Sequence, residues 1–129
     1  MRPPRIAVLL ACVALLAAVA GCGGGGGGHD MADNAKVAPG ARVIHVDARS
    51  FDFSPSTIQV RSGEDVAIEL KSEDSFHDFE VEGKGHIVGA DGDTTAKGGL
   101  RIDKPGRYTF FCSVAGHRAS GMEGTLVVR

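Results

Sequence analysis

A chain of 129 residues has room for one domain and hardly for two. Its 14 basic residues stand against 16 acidic ones, a balance that argues against a nucleic-acid binder, which would want a basic face. At the N-terminus, Arg2 and Arg5 precede an apolar run from Ile6 to Ala20. Positive charge, a short apolar stretch and small residues before a cleavage point describe a secretory signal over residues 1–21. The run of about 15 apolar residues falls short of the roughly 20 that a spanning helix needs.

The run ends in Val19-Ala20-Gly21-Cys22. That tetrapeptide resembles the bacterial lipobox, and the resemblance implies cleavage before Cys22 with lipid on its thiol. The plainer alternative is an ordinary signal peptide that leaves an incidental cysteine. Lipid chains favour membrane attachment by about 0.8 kcal/mol per buried methylene, so several chains hold a protein stably. The lipobox reading therefore predicts a protein outside the cytoplasm, anchored to a bacterial membrane. Removing Arg2 and Arg5 leaves 12 basic residues against 16 acidic ones, a net charge of −4.

Residues 22–40 open with six glycines, Gly23 to Gly28, and continue with mostly small and polar residues. Such a segment is expected to act as a flexible tether, with an end-to-end distance of roughly 20–25 Å over residues 23–40. His29 and Met31 are read as ordinary tether residues. Cys12 leaves with the signal and Cys22 is taken by lipid, so the domain expected over 41–129 keeps only Cys112. No disulfide can form within it. A lone thiol in an oxidising compartment is unusual for a small secreted protein, and metal ligation explains it.

From Ala41 onward, short alternating segments predict strands over residues 42–48, 57–61, 65–71, 76–82, 100–102, 107–113 and 124–129. Turn signals separate them: Ser54-Pro55, Ser62-Gly63, Gly83-Lys84-Gly85, Asp91-Gly92-Asp93 and Pro105-Gly106. Val66, Ile68 and Leu70 keep period two, and so do Phe79 and Val81 with His77 in phase, which marks half-buried strands. Residues 83–99 are rich in Gly, Asp and Thr and predict irregular loop, with at most a short strand at 86–88. The expectation is an all-β domain, a Greek-key sandwich of seven to eight strands.

The C-terminal part carries the chemistry. Cys112, His117 and Met122 follow one another as Cys-x4-His-x4-Met, and His77 lies 35 residues upstream of Cys112. Two imidazoles and a thiolate with a weak axial thioether form the ligand set of blue-copper electron-transfer sites. Tyr108, Phe110 and Cys112 share one strand face, and His77 shares its face with Phe79 and Val81, so both ligands point inward. The loop 113–121 is made mostly of small residues that can wrap tightly and bring His117 and Met122 back to the same point.

Over about residues 51–128 the chain resembles the cupredoxin family. The resemblance rests on Phe53-Ser54-Pro55, on Val60-Arg61-Ser62-Gly63-Glu64-Asp65-Val66, on Phe76-His77-Asp78-Phe79, and on the ligand loop closing at Gly124-Thr125. It implies one type 1 copper per chain, cycling between Cu(I) and Cu(II). It also implies a port for electrons at the exposed edge of His117, and redox proteins as partners of a monomer. Two positions depart from many relatives. Asp78 stands where Asn is common and can only accept hydrogen bonds when ionised, and its charge would lower the reduction potential. Arg118 beside the port would favour an acidic partner surface.

Other readings are weaker. A dinuclear copper site needs a second bridging cysteine where Gly116 stands. Zinc suits a His2Cys set, but the affinity order favours copper, and a closed zinc site has no use for thioether sulfur. Tyr108, Phe110, Phe76 and Phe79 are read as core residues. His45 is out of phase with the buried positions and should face solvent, and His86 falls in a glycine loop; neither is expected to ligate. A multicopper enzyme would need further histidine clusters that scattered His29, His45 and His86 do not supply. The alternative to an electron carrier is a module that delivers or buffers copper for oxidase assembly.

Overall fold

A computed structural model describes residues 32–129. The signal segment, Cys22, and the tether residues up to Met31, His29 among them, lie outside the described residues. Nine strands occur among those described. They are β1 (Arg42–Arg49), β2 (Asp52–Ser54), β3 (Thr57–Val60), β4 (Val66–Ser72), β5 (His77–Val81), β6 (Gly85–Ala90), β7 (Thr95–Leu100), β8 (Gly106–Phe111) and β9 (Glu123–Val128). One sheet has the order β2-β1-β4-β7 and the other β3-β9-β8-β5-β6. β1 is parallel to β4 and β3 to β9, and the remaining pairs are antiparallel. This is the all-β sandwich expected from the alternation, with strands crossing between sheets in Greek-key fashion.

Between the sheets the core is aromatic where it approaches the site. Phe79 and Phe110 stack at 4.5 Å between ring centroids, and Phe53 meets both edge-on at 5.9 and 5.4 Å. All three are buried, with Ile68, Leu70 and Leu126 around them. Burying each such side chain stabilises the fold by about 1.5–3 kcal/mol. Phe76, expected in the core, is only half-buried. It stands next to His77 in sequence, and strand pleating sends neighbours to opposite faces, so an inward His77 puts Phe76 outside. There its ring lies against Gly89, where a Cβ would crowd it at 2.9 Å.

The expectation of loop over residues 83–99 is corrected. This stretch forms β6, a tight turn and β7. The strand expected over 100–102 is displaced, since β7 ends at Leu100. The glycines misled because they serve close approach rather than looping. A Cβ on Gly98 would overlap the Ile87 carbonyl oxygen, and one on Gly99 would overlap the Lys36 carbonyl oxygen. β2 was also not anticipated; it is three residues long, with Phe53 as its one buried side chain.

Residues 34–36, expected to belong to the flexible tether, are docked instead. The Ala35 amide donates to Ile87 O at 2.9 Å, and Ala35 O accepts from the Gly99 amide at 2.8 Å. The Asn34 side-chain oxygen accepts from the Gly89 amide at 2.8 Å. This segment thus covers backbone groups of β6 and β7 that would otherwise form a bare edge.

Candidate metal centre

The site is built at one end of the sandwich by β5 and by the loop between β8 and β9. His77 opens β5 and faces inward, and Cys112 immediately follows β8 in the same sense. His77, Cys112 and Met122 are fully buried, while His117 is half-buried. Cys112 Sγ lies 3.5 Å from His117 Nδ1 and 3.9 Å from His77 Nδ1. The two imidazole rings stand 5.1 Å apart, tilted by 53°. The structure therefore brings His77, Cys112 and His117 to one point, their ligand atoms all within 4.8 Å of one another.

Met122 is carried to the same end by the loop's own backbone. The Cys112 amide donates to Met122 O, and the Met122 amide donates to His117 O, each at 3.1 Å. Between them, Arg118–Ser120 form a single 3-10 turn that ends at Gly121, whose φ of 100° is left-handed and unfavourable for any residue with a Cβ. Gly121 is thus where the chain reverses to return Met122 to the backbone of Cys112 and His117.

Three neighbours act on these side chains. Asp74 Oδ1 accepts from His77 Nε2 at 2.6 Å, which leaves Nδ1 free to face Cys112. Asp74 is itself held by the Ser50 and Ser75 amides, at 2.8 and 2.9 Å. The Ser50 amide, and after it His77, keep the Asp74 carboxyl well below the usual carboxylate range. Asp74 was missed in the sequence; the available signal was a carboxylate three residues before a ligand histidine. Asp78 accepts from the Ser113 amide at 2.6 Å and from the Ser113 hydroxyl, tying β5 to the start of the ligand loop. Burial pushes the Cys112 thiol up to about 11, with backbone hydrogen bonding at Asp78 and Val114 pulling the other way.

Around His117 the surface carries an aromatic ring and an arginine. Phe51, 45% exposed, meets the His117 ring edge-on at 5.0 Å. Arg118 is exposed, and its guanidinium lies 4.1 Å over the Phe111 ring and pairs with Glu123 at 3.2 Å and Glu82 at 3.5 Å. His45 is exposed as expected and pairs with Glu69 at 2.7 Å. His86, expected in a loop, lies on β6 beside Asp78.

The donor set fits one type 1 copper: two imidazole nitrogens and one thiol sulfur converge, and a methionine is buried at the same end of the fold. His77 Nδ1 has its tautomer fixed by a carboxylate on the far nitrogen, the arrangement common to metal-bound histidines. The sequence profile of the cupredoxin-like domain matches residues 6–128. The chain belongs to the cupredoxin-like family. No curated protein matches it by sequence.

Solved structures share the fold. Auracyanin B is 15% identical with a TM-score of 0.66, covering 74% of this chain and 94% of that one. Auracyanin A, a "blue" copper protein from Chloroflexus aurantiacus, is 20% identical with a TM-score of 0.60, covering 70% and 100%. A chain of a heme-copper terminal oxidase dimer is 25% identical with a TM-score of 0.56, covering 75% of this chain and 71% of its own. No described helix of this cupredoxin is long and apolar enough to cross a membrane.

Proposed function

We propose that this protein is a monomeric one-electron carrier, not an enzyme, that holds one copper through His77, Cys112, His117 and Met122. Lipid on Cys22 would tether it outside the cytoplasm, on a bacterial membrane, where it exchanges electrons with redox proteins. The observation that carries the reading is the convergence of a buried thiol with two imidazole Nδ1 atoms, at 3.5 and 3.9 Å, with a buried methionine tied by its backbone to Cys112 and His117. A bound copper supplies the Cu(I)/Cu(II) couple.

The chain's own residues do the rest. Cys112 gives up its thiol proton when a metal is bound, since the thiolate is the ligand. Asp74 keeps the proton of His77 on Nε2 and the ring in place. Asp78 and Ser113 hold the loop to β5, and the Cys112–Met122 and Met122–His117 backbone bonds close it. His117 alone among the four reaches the surface, with Phe51 against its ring, and offers the path for electrons. Burial of the other three ligands favours retention of copper over its delivery to another protein.

The test is a visible absorption spectrum after adding Cu(II). An intense blue thiolate-to-copper band that reductant bleaches, and that Cys112→Ser abolishes, is expected. Stoichiometric copper binding without that band would sink the carrier reading and favour copper delivery.

A further inference from the structure

We propose that Asp78, Glu80 and His86 form a second metal site, for a divalent transition-metal ion of the zinc or copper(II) class, on the outer face of the five-stranded sheet. The inference stands on sheet geometry and is independent of the blue-copper reading. Along β5, His77, Phe79 and Val81 face the core, so Asp78 and Glu80 face outward. Regular pairing with β6 would continue from Phe79–Val88 to Glu80–Ile87 and Val81–His86, turning His86 into the core. The register instead shifts between Phe79 and Glu80, and Glu80 pairs with His86. This bulge keeps Ile87 and Val88 both buried and swings the imidazole to the face that carries the two carboxylates.

The resulting group has ligand geometry. One atom from each of the three side chains lies within 4.8 Å of the others, with Asp78 Oδ2 4.0 Å from His86 Nδ1. With metal bonds of about 2.0–2.2 Å, tetrahedral ligand atoms stand about 3.4 Å apart, so the three side chains have to draw together by about an ångström around an ion. Ser113 uses two of the roughly four acceptor positions of the Asp78 carboxylate and leaves the others open.

Charge points the same way. Asp78 is 5% exposed, and among the described residues no Lys or Arg pairs with it or with Glu80; the neighbouring Arg118 is taken by Glu82 and Glu123. A cation compensates two such carboxylates. One imidazole with two carboxylates suits zinc or copper(II), and three protein ligands leave positions open. The three residues line a cleft of about 560 Å³ that also includes His117, so an ion bound here would sit beside the edge proposed to pass electrons.

The experiment is calorimetric titration of Zn(II) into the copper-loaded protein, with its blue band recorded throughout. One further equivalent of zinc is expected with the band intact. His86→Asn and Glu80→Gln should each weaken binding by at least about tenfold, since loss of even an outer-shell partner costs that much. The same titration of Cys112→Ser reads this site even if the protein makes no blue centre, which separates the two proposals. Absence of zinc binding in both proteins, or binding undiminished in the double variant, overturns the assignment.

Discussion

Replacing Asp74 separates what its charge does for the site from what its geometry does. Its carboxylate accepts from the Nε2 of a fully buried His77 at 2.6 Å, while the Ser50 and Ser75 amides fix it from behind. A hydrogen bond to a charged group contributes about 1.5–3 kcal/mol. The Asp74 side chain is 41% exposed, so solvent screening points to the lower end of that range. For a one-electron couple about 1.4 kcal/mol corresponds to roughly 59 mV. A negative charge here favours the more positive oxidised site, so its removal favours the reduced one. If half or more of the bond discriminates between the two states, Asp74→Asn raises the potential by roughly 30–60 mV. The asparagine oxygen still accepts from Nε2, so the blue band should persist. Asp74→Ala removes the acceptor as well, leaving only Ser75 Oγ at 3.4 Å, and should additionally weaken copper affinity by about tenfold or more. Redox titration of the blue band on both variants reads these effects. A potential that stays put or falls in Asp74→Asn would refute the electrostatic role.

Three further outcomes follow from the same geometry. With its thiol raised to about 11 by burial, Cys112 in the metal-free protein should resist alkylation at pH 8 until denaturant is added; labelling at the rate of a free thiol would contradict this. Gly98→Ala drives a methyl into the Ile87 carbonyl, which backbone cannot yield, and should cost about 3 kcal/mol, the upper end for overpacking; an unchanged urea midpoint would show that β6 and β7 can separate. Glu64, held by the Arg42 guanidinium and the Arg61 amide, has its carboxyl lowered from 4.5 to about 2. A folded value below the unfolded one means that its contribution is complete above about 4.5 and is lost as pH falls towards about 2. NMR titration of Glu64 should show that midpoint, and Arg42→Ala should move it up.

What could be read from the sequence was whatever obeys a simple period. β4 alternates Val66, Ile68 and Leu70 inward, and β5 places His77 with Phe79 and Val81, so core and ligand faces followed directly. Cys112, His117 and Met122 stood out as candidate ligands because Cys, His and Met are chemically specific and their spacing is short. What broke the period was hidden. The bulge in β5–β6 reversed the face of His86, and Gly98 and Gly99 looked like turn residues although they allow two backbones to meet. Asp74, Asn34 and Arg118 acquire their roles only from partners that the fold supplies, at His77, Gly89, and Phe111 with Glu82 and Glu123. No local pattern encodes such partners.

The ligand loop is held by hydrogen bonds that need no metal, and this has a consequence for electron transfer. Cys112 N to Met122 O, Met122 N to His117 O, His117 N to Val114 O and Ser113 N to Asp78 Oδ1 form a closed set, all within 2.6–3.1 Å. A loop so braced should keep its ligands in place whichever oxidation state is bound, leaving little to rearrange on transfer. Whether the resulting copper geometry is strained or intrinsic to thiolate bonding does not alter that expectation. Hydrogen exchange on the metal-free protein tests it. If the bracing is sufficient, the Cys112, His117 and Met122 amides exchange within about tenfold of the β8 and β9 amides, a difference of about 1.4 kcal/mol in opening free energy. Exchange of those three at the rate of an open chain, while β8 and β9 remain protected, would mean that the metal rather than the protein shapes the loop.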